Sequence, residues 1–274
     1  MSDPGPMEQP EGMRALDLAR AALADPPAGL LTDLDGTLAP IVSDPSAVRV
    51  LPGAADALVA LAGRLAVTGI VSGRGAADAR RIIGSDRVLV VGNHGLEWLE
   101  AGSSEPMPAP ELSGAADAVR DALAQIPDLP GVIAENKGLS ATIHFRNAPD
   151  PLAAGARVRE ALERAAPAGV AVRPGRMSLE LRPAGAGDKG TATRAVVERY
   201  GLRGLVVLGD DVTDLDMFRA AVALRDAGRL RAAVLGVAGG HEVPASVREA
   251  ADAILPDPQA VVELLQGLLA SASP

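Results

Sequence analysis

From Gly29 onward the chain alternates short runs that are apolar at every position with longer Ala-rich segments whose apolar residues recur every three or four positions. The first kind predicts strands buried on both faces, the second helices that cover them. Strands are expected at 29–33, 67–72 and 87–92 and helices at 53–65 and 75–83, after an opening helix at about 13–24. Residues 1–12, rich in Pro, Gly and acid, read as a disordered lead-in. The run Glu105-Pro106-Met107-Pro108-Ala109-Pro110 then breaks the rhythm as a linker. Beyond it the order helix, strand, strand occurs twice, at 112–126, 131–136 and 139–146, then at 151–166, 170–173 and 177–182. That order predicts an antiparallel sheet with helices on one face. Pro183 through Gly187 leads back to a helix at 188–200, strands at 204–208 and 232–236, a short strand near 253–255 and a helix at 258–270. The expected class is α/β: a Rossmann-like parallel-sheet core at 13–108 and 185–274, carrying an inserted α+β domain at 109–184.

Composition narrows what such a fold can do. Hydrophobic residues make up 48% of 274, enough for a packed core, yet only Trp98, Phe145, Tyr200 and Phe218 are aromatic. The core must then be built from Leu, Val, Ile and Ala. No cysteine is present, which excludes disulfide and thiol chemistry. No apolar run approaches membrane-spanning length and no charged-then-apolar leader precedes the fold, so a soluble, cytoplasmic protein is expected, with a monomer as the default assembly. The net charge of −9 argues against nucleic acid and anionic membrane as partners. An anionic small molecule would need a metal and a few local cations. Of 26 basic residues only Lys137 and Lys189 are lysine. In a chain that otherwise uses Arg, a lysine marks a place where a compact ammonium suits a single oxygen better than a guanidinium fork.

Chemistry concentrates at the ends of the predicted parallel strands. Leu31-Thr32-Asp33-Leu34-Asp35-Gly36-Thr37 puts two carboxylates, one residue apart, where the first strand stops. Residues at i and i+2 of a strand share a face, and groups just past the carboxyl end of a strand line the ligand crevice of an α/β sheet. Ile70-Val71-Ser72-Gly73-Arg74 ends the second strand with a hydroxyl. Gly187-Asp188-Lys189-Gly190 opens a helix with a lysine, and Leu208-Gly209-Asp210-Asp211-Val212-Thr213-Asp214 ends a further strand in a cluster of acids. In the inserted domain, Glu135 and Lys137 share one face of a predicted strand, and Arg176, Ser178 and Glu180 share a face of another. Such faces suit the hydroxyls of a sugar. Either can also be a merely solvated charged surface. His144 and His241 are expected to be structural or superficial, and Trp98 likewise, although its ring can stack on a sugar.

The four strand-end and helix-start motifs, in this order, resemble those of the haloacid dehalogenase-type phosphatase superfamily, and an insertion between the second motif and the lysine resembles members with a large α+β cap domain. Three runs look like the trehalose-6-phosphate phosphatases within it: Gly92-Asn93-His94-Gly95-Leu96-Glu97, Glu135-Asn136-Lys137-Gly138, and Gly175-Arg176-Met177-Ser178-Leu179-Glu180-Leu181-Arg182-Pro183. The resemblance spans about 29–265. It implies Asp33 as a nucleophile forming an aspartyl-phosphate, and Asp35 as acid and base. Mg²⁺ would be held by Asp33, the Asp35 carbonyl and Asp210, with Asp211 and Asp214 as ligands or support. Ser72 and Lys189 would bind phosphate oxygens. Thr37, Arg74, Asn93, His94, Glu135, Lys137, Arg176 and Glu180 would bind substrate, and the cap would close over the site. Three positions depart from the pattern: Leu34 where Tyr is frequent, Leu215 where the acidic loop often continues with Glu, and Arg176 where Lys is usual. The last leaves open a related sugar phosphate, such as a sucrose, glucosylglycerate or mannosylglycerate phosphate or a trehalose-like pseudo-disaccharide phosphate.

Two other readings compete. Gly185-Ala186-Gly187-Asp188-Lys189-Gly190 fits the dinucleotide fingerprint G-x-G-x-x-G at a helix start, with Asp210 twenty residues on, which alone would suggest an NAD-dependent oxidoreductase. Asp188 beside a pyrophosphate argues against it, and so does an Asp33 motif left without a task. A catalytically dead sugar-binding module is disfavoured because every expected catalytic side chain is present.

Overall fold

Strands buried along their whole length form the centre of the first of two units into which the chain divides, Met1–Pro106 with Gly187–Pro274, and Met107–Ala186. The computed structural model describes residues 11–42, 44–108, 112, 114–165, 169–175, 177–184, 187–239 and 243–270. In the first unit the strands are β1 (Ala28–Thr32), β2 (Val67–Val71), β3 (Leu89–Gly92) and β4 (Glu97–Leu99). After the short β5 (Met107–Pro108) and the strands of the second unit, β6 (Ile133–Asn136), β7 (Ala141–His144), β8 (Val170–Gly175) and β9 (Ser178–Pro183), come β10 (Gly204–Gly209), β11 (Arg231–Val237) and β12 (Ala253–Leu255). The sheet of the first unit runs β12-β11-β10-β1-β2-β3-β4. All its pairings are parallel except β3 with β4, an antiparallel edge of three residues that is too short to announce itself in the sequence.

Alternation along each strand divides the core in two. Leu30, Ile70, Val90, Leu208 and Leu235 pack on one face against α1 (Glu11–Leu23), α2 (Ala54–Ala62), α3 (Ala76–Ile83) and α9 (Pro258–Ala270). Leu31, Val71, Val91, Val207 and Val234 pack on the other against α6 (Lys189–Tyr200), α7 (Leu215–Asp226) and α8 (Ala245–Ala250). Both faces are therefore covered, which is why these strands are apolar throughout. Two helices were absent from the sequence expectation. Helix α7 begins directly on the acid loop, so its first turn is masked by the motif, and α8 is only six residues long. Helix α1 starts at Glu11, within the stretch expected to be disordered; residues 1–10 lie outside the described residues.

The second unit is a four-stranded antiparallel sheet in the order β6-β7-β9-β8, with α4 (Ala115–Leu123) and α5 (Pro151–Ala165) on one face. Ala141, Ile143, Leu179 and Leu181 turn towards Val119, Ala122, Val158 and Leu162 in its core. The intervening residues turn the other way. Glu135, Thr142, Glu180 and Arg173 stand in register across the four strands and form one row of that opposite face.

Candidate active site

Strands β1 and β10 are neighbours, and the chain proceeds from them towards opposite edges of the sheet. Such a reversal opens a crevice beyond the carboxyl ends of the two strands. Asp33 and Asp210 are the residues that enter it. The Asp33 N–H donates to the Leu208 carbonyl at 2.9 Å, extending the ladder by one residue and fixing the carboxylate at the sheet's rim. The chain then turns tightly: Gly36 N–H donates to Ala39 O at 2.7 Å, with Gly36 at φ 80°. A Cβ on Gly36 would fall 2.1 Å from Oδ2 of Asp210, so glycine is required both by conformation and by the acid it faces.

The acid loop is ordered from within. Asp214, fully buried, accepts from the backbone N–H of Asp210 at 2.9 Å and of Asp211 at 3.1 Å through Oδ2, and from Lys189 Nζ at 2.6 Å through Oδ1. Its two oxygens are thus occupied in holding the loop and the lysine. Lys189 is the first residue of α6, whose N-cap Asp188 accepts from Thr191 N–H at 2.8 Å. That bond fills a donor which a dinucleotide pyrophosphate would need, against the oxidoreductase reading. The Lys189 ammonium also lies 2.9 Å from Oδ1 of Asp33, and Thr37 donates to Oδ1 of Asp210 at 3.2 Å. Asp211 is exposed and accepts from Val212 N–H, capping a short 3₁₀ turn.

Asp33, Asp210 and Asp214 each present an oxygen within 4.8 Å of the others, with one ammonium among them. Burial pushes Asp33 up to about 7, with Asp214 adding to the rise and Lys189 opposing it. Asp210 is pushed up to about 8, again by burial first and then by Asp33, Asp214 and Asp211. Burial would pull Lys189 down, but Asp214 and Asp33 outweigh it and hold the ammonium above its usual value. Three buried carboxylates against one cation leave uncompensated negative charge, and the donors are all hard oxygens. The residues fit a divalent ion such as Mg²⁺.

A second layer approaches from β2 and β3. Ser72 is buried one residue beyond β2, and its Oγ accepts from Arg74 N–H at 3.2 Å. The Arg74 guanidinium grips Asp35 through both oxygens, at 2.7 and 2.9 Å, and reaches Asp78 at 2.8 Å. The hydrogen bonds it donates to Asp35 raise Arg74 further against the effect of burial, with Asp78 adding to them, so this cation is permanent. Asn93 and His94 both take left-handed backbone, φ 51° and 58°, a conformation that costs roughly 1–2 kcal/mol per non-glycine residue. Asn93 N–H donates to Arg74 O at 2.7 Å and His94 N–H to Ser72 O at 2.9 Å. The imidazole rests over Gly73, where a Cβ would come within 2.6 Å of it. Glu97, which closes the Gly92–Glu97 run but was given no role from the sequence, accepts from Asn93 Nδ2 at 3.0 Å and from Ala76 N–H at 2.6 Å. Neither partner is signalled by spacing, and one is a backbone group. Trp98 has the Arg199 guanidinium 5.9 Å from its ring centre, a packing role.

In the second unit, Glu135 Oε2 lies 3.4 Å from His144 Nε2 and 3.9 Å from Lys137 Nζ. His144 therefore belongs to the same polar face as Glu135, Lys137 and Glu180; the sequence had suggested a structural or superficial place for it. Arg176 and His241 lie outside the described residues.

The model of the trehalose-phosphatase family matches residues 31–246, which takes in every motif above. The chain belongs to the trehalose-phosphatase family. It is 34% identical over 256 residues to a trehalose-phosphate phosphatase of Mycobacterium bovis, covering 89% of this chain and 59% of that one. It is also 32% identical over 275 residues to an uncharacterized glycosyl hydrolase of Mycobacterium tuberculosis, where the match covers 94% of this chain and 19% of the relative. The family member described here thus spans only part of the length of these relatives. Among solved structures, an Aspergillus fumigatus trehalose-6-phosphate phosphatase superposes with a TM-score of 0.64 at 27% identity, covering 95% of this chain and 98% of that one.

Proposed function

We propose that the protein is a Mg²⁺-dependent phosphatase that hydrolyses trehalose 6-phosphate to trehalose and phosphate through an aspartyl-phosphate. The observation that carries this reading is the placement of Asp33: a buried carboxylate at the rim of the switch point, 2.9 Å from the Lys189 ammonium, grouped with Asp210 and two residues before a second acid. Asp33 attacks phosphorus as the bond from phosphorus to the sugar oxygen breaks, and Asp35 gives its proton to that oxygen. Asp35 then takes a proton from water, whose oxygen displaces Asp33 and releases phosphate. Ser72 and Lys189 supply a hydroxyl and an ammonium to the equatorial phosphate oxygens, where charge must be offset during transfer. The Arg74 fork holds the Asp35 carboxylate in one orientation. Asp33, the Asp35 carbonyl and Asp210 would hold Mg²⁺, which when bound offsets charge on the phosphate; Asp214 orders the loop, and Asp211 supports it.

For the second unit, the row Glu135, Thr142, Glu180 and Arg173 with neighbouring Lys137 and His144 supports recognition of sugar hydroxyls, which carboxylates accept from and cations donate to. Phosphate release from a panel of sugar phosphates with Mg²⁺ tests both parts. Trehalose 6-phosphate is expected to lead; a clear preference for sucrose phosphate or a glycosylglycerate phosphate would reassign the substrate, and no release from any would refute the activity.

A further inference from the structure

Ser72 and Arg74, the partner of Asp35, are carried on the loop between β2 and α3. The N-cap of α3 is Gly75, which offers no side chain to the helix start. The donor left open there, Ala76 N–H, is taken by Glu97 Oε1 at 2.6 Å, a carboxylate from β4 on the far side of the Asn93–His94–Gly95 turn. The same oxygen accepts from Asn93 Nδ2 at 3.0 Å. One atom thus joins the start of α3 to a turn in which three consecutive residues have positive φ, 51°, 58° and 112°. The two segments also touch through backbone. A Cβ on Gly92 would fall 2.3 Å from Ala76 N, Asn93 N–H bonds Arg74 O, and His94 N–H bonds Ser72 O. A turn of this kind persists where its surroundings hold it, and Glu97 supplies one such tie.

We propose that Glu97 is a positioning residue: by binding Ala76 N–H and the Asn93 amide with one carboxylate oxygen, it fixes the Ser72–Arg74 loop and so places the phosphate-binding hydroxyl and the guanidinium that orients Asp35. The proposal rests on the phosphatase reading for its kinetic consequence, though not for its geometry. Glu97 is outside the set of residues assigned above to phosphate and metal. Its loss acts on the rate of transfer more than on affinity, and on every substrate alike. An amide oxygen at the same place accepts the same two hydrogen bonds, so Glu97→Gln preserves the tie and Glu97→Ala removes it.

The test uses the full chain with Mg²⁺, p-nitrophenyl phosphate and trehalose 6-phosphate, and follows amide hydrogen exchange in parallel. Glu97→Ala is expected to lower kcat about ten- to a hundredfold on both substrates with KM changed less than about threefold, as for an interaction that matters in the transition state. Glu97→Gln is expected to stay within about threefold of wild type, the difference expected when acceptor geometry is kept. Exchange across residues 72–76 should quicken in the alanine variant alone. Wild-type kcat in Glu97→Ala, a fall in Glu97→Gln as deep as in the alanine variant, or a change confined to KM each overturns the proposal. If the alanine variant does not fold, Glu97→Asp, one methylene short of Ala76, takes its place: folded with reduced kcat it supports the tie, and with unchanged kcat it refutes it. Absence of phosphate release from the wild-type chain would sink the phosphatase reading, whereas unaltered exchange at 72–76 would sink the positioning role.

Discussion

Asp33 is held in a setting that works against its own charge. Burial pushes its carboxyl towards neutrality, while the Lys189 ammonium at 2.9 Å pulls the other way, towards the ionised form. If Asp33 is the nucleophile, Asp33→Asn removes it at nearly constant volume. Turnover is expected to fall by about a thousandfold or more with the circular dichroism spectrum unchanged, in keeping with the loss of a covalent route; phosphate release within tenfold of wild type would sink the assignment. At this scale the sequence was legible for placement: Asp33, Ser72 and Asp210 all lie just past strand ends, where they were expected. It was not legible for Arg74 as the partner of Asp35, because 39 residues separate them and no spacing rule links the ends of different strands. Glu97 is harder still, since its shortest bond goes to a backbone N–H, a group every non-proline residue owns.

Elements came through the sequence when their apolar period was long enough to repeat. The central strands and α6 and α9 are of that kind, and strands 253–255 and helix 258–270 coincide with β12 and α9. Helix α7 did not, yet it supplies Phe218, fully buried in the layer that also holds Leu31 and Val207. Phe218→Ala is expected to cost about 3–5 kcal/mol, measured by urea unfolding, because a cavity remains where the ring packed. A loss below about 1 kcal/mol would show that this layer closes around the gap. In the second unit the relevant element is the polar sheet face. If Glu180 and Lys137 meet sugar hydroxyls, truncating either to Ala should lower kcat/KM for trehalose 6-phosphate about ten- to a hundredfold, the range for a lost hydrogen bond to a charged group. Hydrolysis of p-nitrophenyl phosphate should change little. Equal losses on both would make the face structural, and no loss on either would place sugar recognition elsewhere.

For the molecule as a whole, a divalent ion held by Asp33 and Asp210 would compete with protons for the same oxygens. EDTA is expected to abolish phosphate release and Mg²⁺ to restore it; full activity in chelator would refute the metal role of Asp210. Stability should follow suit. Asp33 and Asp210 have folded-state values raised to about 7 and 8 from 3.8, so between roughly pH 4 and 8 the folded metal-free chain binds more protons than the unfolded one. These groups therefore favour the fold at the acid end of that window and cease to do so as pH rises through it. Lys189, raised above its ordinary value, keeps its charge across the whole window and does not alter the sign. The Tm of the metal-free protein should fall from pH 5 to pH 8, and added Mg²⁺ should raise Tm more at pH 8 than at pH 5, since it binds the ionised acids. Equal metal-induced shifts at both values would remove the carboxylates from the ion's coordination.

The pairing of β1 with both β2 and β10 has a consequence for the order in which the chain is made. Ala28 must wait for Gly204 before the centre of the first sheet can close, whereas the pairings of the four-stranded sheet all lie between Ile133 and Pro183. As the polypeptide leaves the ribosome, the inserted unit has all its partners in hand while the surrounding one still lacks β10 to β12. The later unit therefore carries the higher closure entropy and the longer exposure of its apolar strands. During synthesis, the half-made rim bearing Asp33 would be the part of the nascent chain most in need of a chaperone.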